Sequence, residues 1–166
     1  MGCSPEYPPP AGYIEACYGG DFSKYLNGAR PKFSMLVHVT QLQWPLLAQK
    51  FKDFGQRHNL QYFDTSVRAQ GLQMLNVHLC SPAGLWLYAD KRLWDAGPKD
   101  PKPDEMPIHL FQYRESYDWK SIATALERDM RDWPGRVEVV VPGKDGAIAS
   151  QLLGSLAHSG SHLGPT

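Results

Sequence analysis

Phe33–Thr40, FSMLVHVT, alternates its side chains and then runs straight into Trp44–His58, where Leu47, Phe51 and Phe54 recur at helical spacing between Lys50, Lys52 and Asp53. A period of two puts Met35, Val37 and Val39 on one face of a strand and Leu36, His38 and Thr40 on the other. The switch to a period of 3.6 hands that strand over to an amphipathic helix with one apolar stripe to bury. Pro45 suits the first turn, where its missing N–H costs nothing. Asn59 after His58 is a plausible stop, because Asn tolerates the left-handed conformation that ends many helices.

The same two periods continue down the chain. Leu60–Arg68 reads as a second strand, Ala69-Gln70-Gly71 as a tight turn and Leu72–Cys80 as a third strand, a hairpin with Gly where the loop needs it. Ser81-Pro82-Ala83-Gly84 is another turn, followed by a strand over Leu85–Lys91. Asp95–Pro107, with four prolines and many charges, reads as a long surface loop. Ile108–Arg114 is the next strand. Ser116 is the expected N-cap of a helix whose stripe is Trp119, Ile122, Leu126, Met130 and Trp133, ended by Pro134-Gly135. Arg136–Val141 is the last strand.

The resulting order, β-α-β-β-β-β-α-β, predicts an α/β (α+β) protein: a ferredoxin-like sandwich whose antiparallel-rich sheet carries both helices on one face. At 166 residues the chain suits one domain with a core large enough to stand without metal or disulfides. We divide it into an N-terminal arm over 1–31, rich in Pro, Gly and Tyr, a sandwich over 32–143, and a Gly/Ser-rich tail over 144–166.

If both helices cover one sheet face, the aliphatic sets Met35, Val37, Val39; Leu75, Val77, Leu79; Leu85, Leu87; and Ile108, Leu110 belong under them. Alternation sends His38, Met74, Asn76, His78, Trp86, Tyr88, His109, Phe111 and Tyr113 to the opposite face. Three histidines and four aromatics thus share one surface. Three uses compete for it: a second small core under the arm, a protein-binding surface anchored by aromatics, and a ligand, metal or enzymatic site with His38, His78 and His109 as metal or acid/base groups. The loop Asp95–Pro107 is a second candidate partner surface, through Lys99 and Lys102 with the neighbouring Trp94.

No signature of catalysis is present, and neither CxxC nor Cys/His zinc spacing occurs. We therefore expect no enzyme, no catalytic residue, no cofactor and no metal. Glu115 and Asp118 are read as acids at a helix N-terminus, and Arg128, Asp129, Arg131 and Asp132 as a solvated helix face. Lys+Arg and Asp+Glu both number 17. That balance argues against a nucleic-acid partner, whose phosphates demand surplus cations. No apolar run approaches the roughly 20 residues that span a bilayer.

The cysteines speak to compartment. Gly2-Cys3-Ser4 followed by a Pro-rich spacer resembles the start of a mature bacterial lipoprotein, with Cys3 as the lipidated residue. In build the chain resembles the small lipoprotein immunity proteins that block secreted toxins or cell-wall hydrolases. That resemblance implies a periplasmic location, an outer-membrane lipid anchor, a protein partner and no catalytic role. A structural accessory lipoprotein of an envelope assembly is the other binding-module reading. With Cys3 lipidated, Cys17 and Cys80 are left to pair, stapling the arm to the sheet in an oxidising compartment. In chain-entropy terms that loop contributes about 4 kcal/mol; the alternative is two unrelated buried thiols. Thiol titration of the denatured, unreduced and unlipidated protein is expected to find one free thiol, and finding three overturns the pairing.

Overall fold

The computed structural model describes residues 30–94, 102–112 and 118–140. Their elements are β1 (Phe33–His38), a 3-10 turn (Gln41–Gln43), α1 (Trp44–Arg57), β2 (Gln61–Asp64), β3 (Val67–Ala69), β4 (Leu72–Ser81), β5 (Leu85–Trp94), β6 (Glu105–Gln112), α2 (Trp119–Asp129), a second 3-10 turn (Met130–Asp132) and β7 (Val137–Val140). The arm before residue 30 and the tail over 144–166 lie outside the described residues.

All seven strands form one mixed α/β architecture's single sheet, ordered β2-β4-β5-β6-β1-β7, with β3 following β2 along the same edge of β4. Every ladder in it is antiparallel. The expected single strand over Leu60–Arg68 is two strands. At Thr65-Ser66 the ladder is interrupted: the Asn76 N–H donates to Ser66 Oγ at 2.9 Å, and Asp64 Oδ1 accepts from the Ser66 N–H at 2.9 Å. Side-chain oxygens have taken over bonds that a continuous ladder would make.

The period-two reading places the core. Met35, Val37, Val39, Leu75, Val77, Leu79, Leu85, Leu87, Ile108 and Leu110 are all buried in one cluster with Leu47, Phe51 and Phe54 of α1 and Ile122, Ala123 and Leu126 of α2. Both helices therefore pack on the same sheet face. Polar contacts link them at the surface: Lys50 to Asp132 at 2.7 Å and Arg57 to Asp129 at 2.6 Å. Such exposed pairs orient more than they stabilise. Asn59 ends α1 at φ 53°, and Gly71 and Gly84 take positive φ in the two turns.

Several boundaries differ from expectation. β5 runs to Trp94 rather than ending at Lys91, because β4 extends its ladder to Leu72–Trp94. The loop Asp95–Pro107 is shorter, because Glu105, Met106 and Pro107 already belong to β6 and pair with His38, Val37 and Leu36. Met106 is fully buried. Pro107 is tolerated because its missing N–H falls on the β5 side, where the ladder ends at Ala89–Ile108. At α2 the N-cap is Asp118, which accepts from the Ser121 N–H at 3.2 Å, while Ser116 lies outside the described residues.

After α2, Trp133 is buried and its Nε1–H donates to the His38 carbonyl at 2.8 Å. Gly135 passes so close that a Cβ there would sit 2.4 Å from the same carbonyl oxygen. This crossing brings β7 onto the edge of β1. Gly135→Ala is expected to destabilise the domain by about 2 kcal/mol, the scale of overpacking against a backbone that cannot yield, measured by urea unfolding.

Candidate functional site: the helix-free sheet face

The face away from the helices is built by register. His78 on β4 lies opposite Tyr88 on β5, Tyr88 opposite His109 on β6, and His109 opposite Ser34 on β1. One rung along, Cys80, Trp86 and Phe111 form a parallel row. Opposed and diagonal side chains on one face are close enough to touch, and here the rings are in contact, stacked except where His109 tilts against Tyr88. Trp86 and Tyr88 are 4.5 Å apart between centroids, Trp86 and Phe111 5.2 Å, Tyr88 and His109 5.5 Å, and His78 and Trp86 5.7 Å.

Polar atoms within the ladder find specific partners. Trp86 Nε1–H donates to His78 Nδ1 at 3.0 Å. Indole nitrogen is a donor only, so neutral His78 carries its proton on Nε2. Burial pushes His78 down to about 4, which keeps it neutral at pH 7. Ser34 Oγ lies 2.8 Å from His109 Nδ1, and burial lowers His109 as well. Tyr88 is raised by burial with a contribution from the Asp90 charge, and Asp90 is itself raised by burial against Arg92 and Lys91. Removal from water is the first cause of each of these shifts, and the Asp90–Arg92 pair at 3.8 Å borders the aromatic cluster.

Exposure divides the face. On its β4–β5 side Trp86 and His78 are each 8% exposed and Cys80 is fully buried, although both described helices lie on the other side of the sheet. Cys80 is disulfide-bonded, and the sulfur it joins lies outside the described residues, as Cys3 and Cys17 both do. On the β5–β6 side Tyr88, His109 and Phe111 are only half-buried.

The three histidines do not converge. Tyr88 stands between His78 and His109, 5.9 Å from the first and 5.5 Å from the second. His38 is exposed at the end of β1 opposite Glu105, with its backbone N–H bonded to Arg136 O and its carbonyl to Trp133. Among the described residues no group of three or more His, Cys, Asp or Glu is placed to hold a metal ion. Lys102 stands apart from the ladder, 3.2 Å from Glu105, and its carbonyl accepts from Lys91. The Trp94 side chain, Lys99 and Tyr113 lie outside the described residues. Ser34 went unremarked in the sequence, although it shares the parity of His38; only the register with β6 reveals its partner.

A second concave feature lies between α1 and the β2–β3 edge: a cleft of about 740 Å³ lined by Trp44, Lys52, Tyr62, Asp64, Arg68 and Leu75, among others. Trp44 is buried, yet its Nε1–H has no hydrogen-bond partner. A buried donor left unpaired costs about 1–3 kcal/mol. No motif marked this cleft, because Trp44 reads simply as the start of a helix.

No protein-family model, no curated protein and no solved structure matches the chain. Among the described residues no helix is long and apolar enough to cross a membrane.

His78 supplies a pH signature. Its folded value lies below the ordinary 6.5, so its contribution to stability is present above that value and is lost as pH falls toward about 4. Between pH 7 and pH 5 this loss is about 2 kcal/mol. His78→Gln, which still offers an acceptor to Trp86, is expected to remove that part of the dependence; urea unfolding at the two pH values measures it.

Proposed function

We propose that this chain is a protein-binding module of an oxidising, extracytoplasmic compartment: a periplasmic lipoprotein tethered through Cys3 that engages another protein with its helix-free sheet face. The observation that carries the reading is the half-buried cluster of Tyr88, stacked on Phe111, with His109 tilted against both, set in an antiparallel sheet. Rigid aromatics with one polar edge are the expected anchors of a protein interface, since they bring large contact area with few rotors to immobilise. The disulfide at Cys80 supports the compartment, because such bonds persist where thiols are not kept reduced.

Cys17 is the partner we assign to Cys80, and the half-buried β5–β6 side is the part of the face we assign to a protein partner. His38 at the end of β1 and Lys102 beside Glu105 lie at the rim. The layer arrangement, one sheet with both helices on a single face, supports a ferredoxin-like build; the strand order β2-β4-β5-β6-β1-β7 is the chain's own. Inhibition of a secreted toxin or cell-wall hydrolase is the form of binding we favour over an accessory role in an envelope assembly.

The purified chain, used as bait in envelope extract from its source, is expected to retain one partner through washing. The triple variant Tyr88→Ser, His109→Ser, Phe111→Ser is expected to lose at least about tenfold of that capture while keeping its far-UV circular dichroism, a loss corresponding to about 1.4 kcal/mol. Equal capture by both proteins, or none by the wild type, overturns the reading.

A further inference from the structure

We propose that the cleft between α1 and the β2–β3 edge is a binding site for a small organic anion, one with a flat apolar body and a carboxylate. This site lies on the helix side of the sheet and stands independently of the protein-binding reading.

Several polar groups in the cleft are already engaged. Asp64 is satisfied: one carboxylate oxygen accepts from the Ser66 N–H at 2.9 Å and the other from the Tyr62 hydroxyl at 3.2 Å. The Tyr62 proton is thereby committed, and burial raises that phenol further from ionisation. Ser66 Oγ accepts from the Asn76 N–H, and the Gln49 amide donates to Asp53 at 2.7 Å.

Among the groups left over, donors and cations outweigh acceptors, of which the Gln49 amide oxygen is one. Trp44 is 3% exposed and its Nε1–H is unpartnered. Lys52 and Arg68 line the same cleft, are both exposed, and enter no described ion pair or hydrogen bond. A buried neutral donor and two cations call for acceptors, and only one carboxylate, already bonded twice, opposes them. Arg in particular suits a carboxylate through its planar fork of donors.

The walls set the rest of the ligand. Trp44 and Leu75 are buried, Tyr62 and Ala48 half-buried, and Pro45 adds a flat apolar rim. A volume of about 740 Å³ is in the range that holds a small molecule rather than a single ion or water. Pro45 in the first turn of α1 and Ser66 at the strand interruption both line the cleft.

The test reads the unpartnered donor directly. In nitrogen-15 correlation spectra of the full chain, the indole resonance of Trp44 is assigned by its loss in Trp44→Phe. Benzoate, carrying both the flat body and the carboxylate, is expected to shift that resonance saturably in the millimolar range. Benzylamine, with the same body and the opposite charge, is expected to leave it in place, and acetate to shift it far more weakly. The double variant Lys52→Gln, Arg68→Gln is expected to keep the remaining spectrum and raise the benzoate Kd at least about tenfold. An unmoved Trp44 resonance with benzoate, an equal response to benzylamine, or an unchanged Kd in the double variant overturns the site.

Discussion

The structure depends on one constraint: a long antiparallel sheet in which every residue must point to one face or the other. β4, β5, β6 and β1 run in unbroken register from His78 to Ser34. Because the side-chain period is two, a slip of one residue in any of them would carry its aliphatic set out from under the helices and its ring into the core. The two faces are therefore specified together. Burying Val77, Leu87, Ile108 and Val37 beneath α1 and α2 is the same event as bringing His78, Tyr88 and His109 into contact on the opposite side.

Helix packing holds the register from one side, and specific polar bonds sharpen it from the other. The Trp86–His78 hydrogen bond is worth more where it sits than on an open surface, since both rings are almost wholly removed from water. At the far edge the Trp133 indole and the close approach of Gly135 lock the last strand against the His38 carbonyl. The sheet is thus pinned at a buried tryptophan near each side. Between those pins lie Tyr88, His109 and Phe111, each half-buried.

Much of this was legible in the chain as written. Met35, Val37 and Val39 alternate cleanly, and they are buried as the period requires. Leu47, Phe51 and Phe54 repeat at helical spacing and lie on the same core. Where reading failed, a local signal was overruled by a distant partner. The prolines of Asp95–Pro107 look like loop throughout, yet Glu105, Met106 and Pro107 extend β6 because β1 offers them a ladder and Met106 a core. Thr65-Ser66 looks like ordinary strand, yet the Ser66 hydroxyl captures the Asn76 amide and splits it.

Sequence alone determined the two helical stripes, the division of the strands into an aliphatic and an aromatic face and, apart from the split of Leu60–Arg68, the element order, because periods of two and 3.6 are local properties of the backbone. Strand order, the Ser34–His109 contact, the stacking of Trp86 on His78 and the separation of the three histidines were decided only in three dimensions. So was the unpartnered Trp44 in its cleft. Those features depend on which strands become neighbours and on what the folded chain leaves unpaired, and neither is written in the spacing of residues along one element. Phe33–Thr40 shows both halves at once: its inward side follows from its own alternation, and its outward side acquires meaning only from β6.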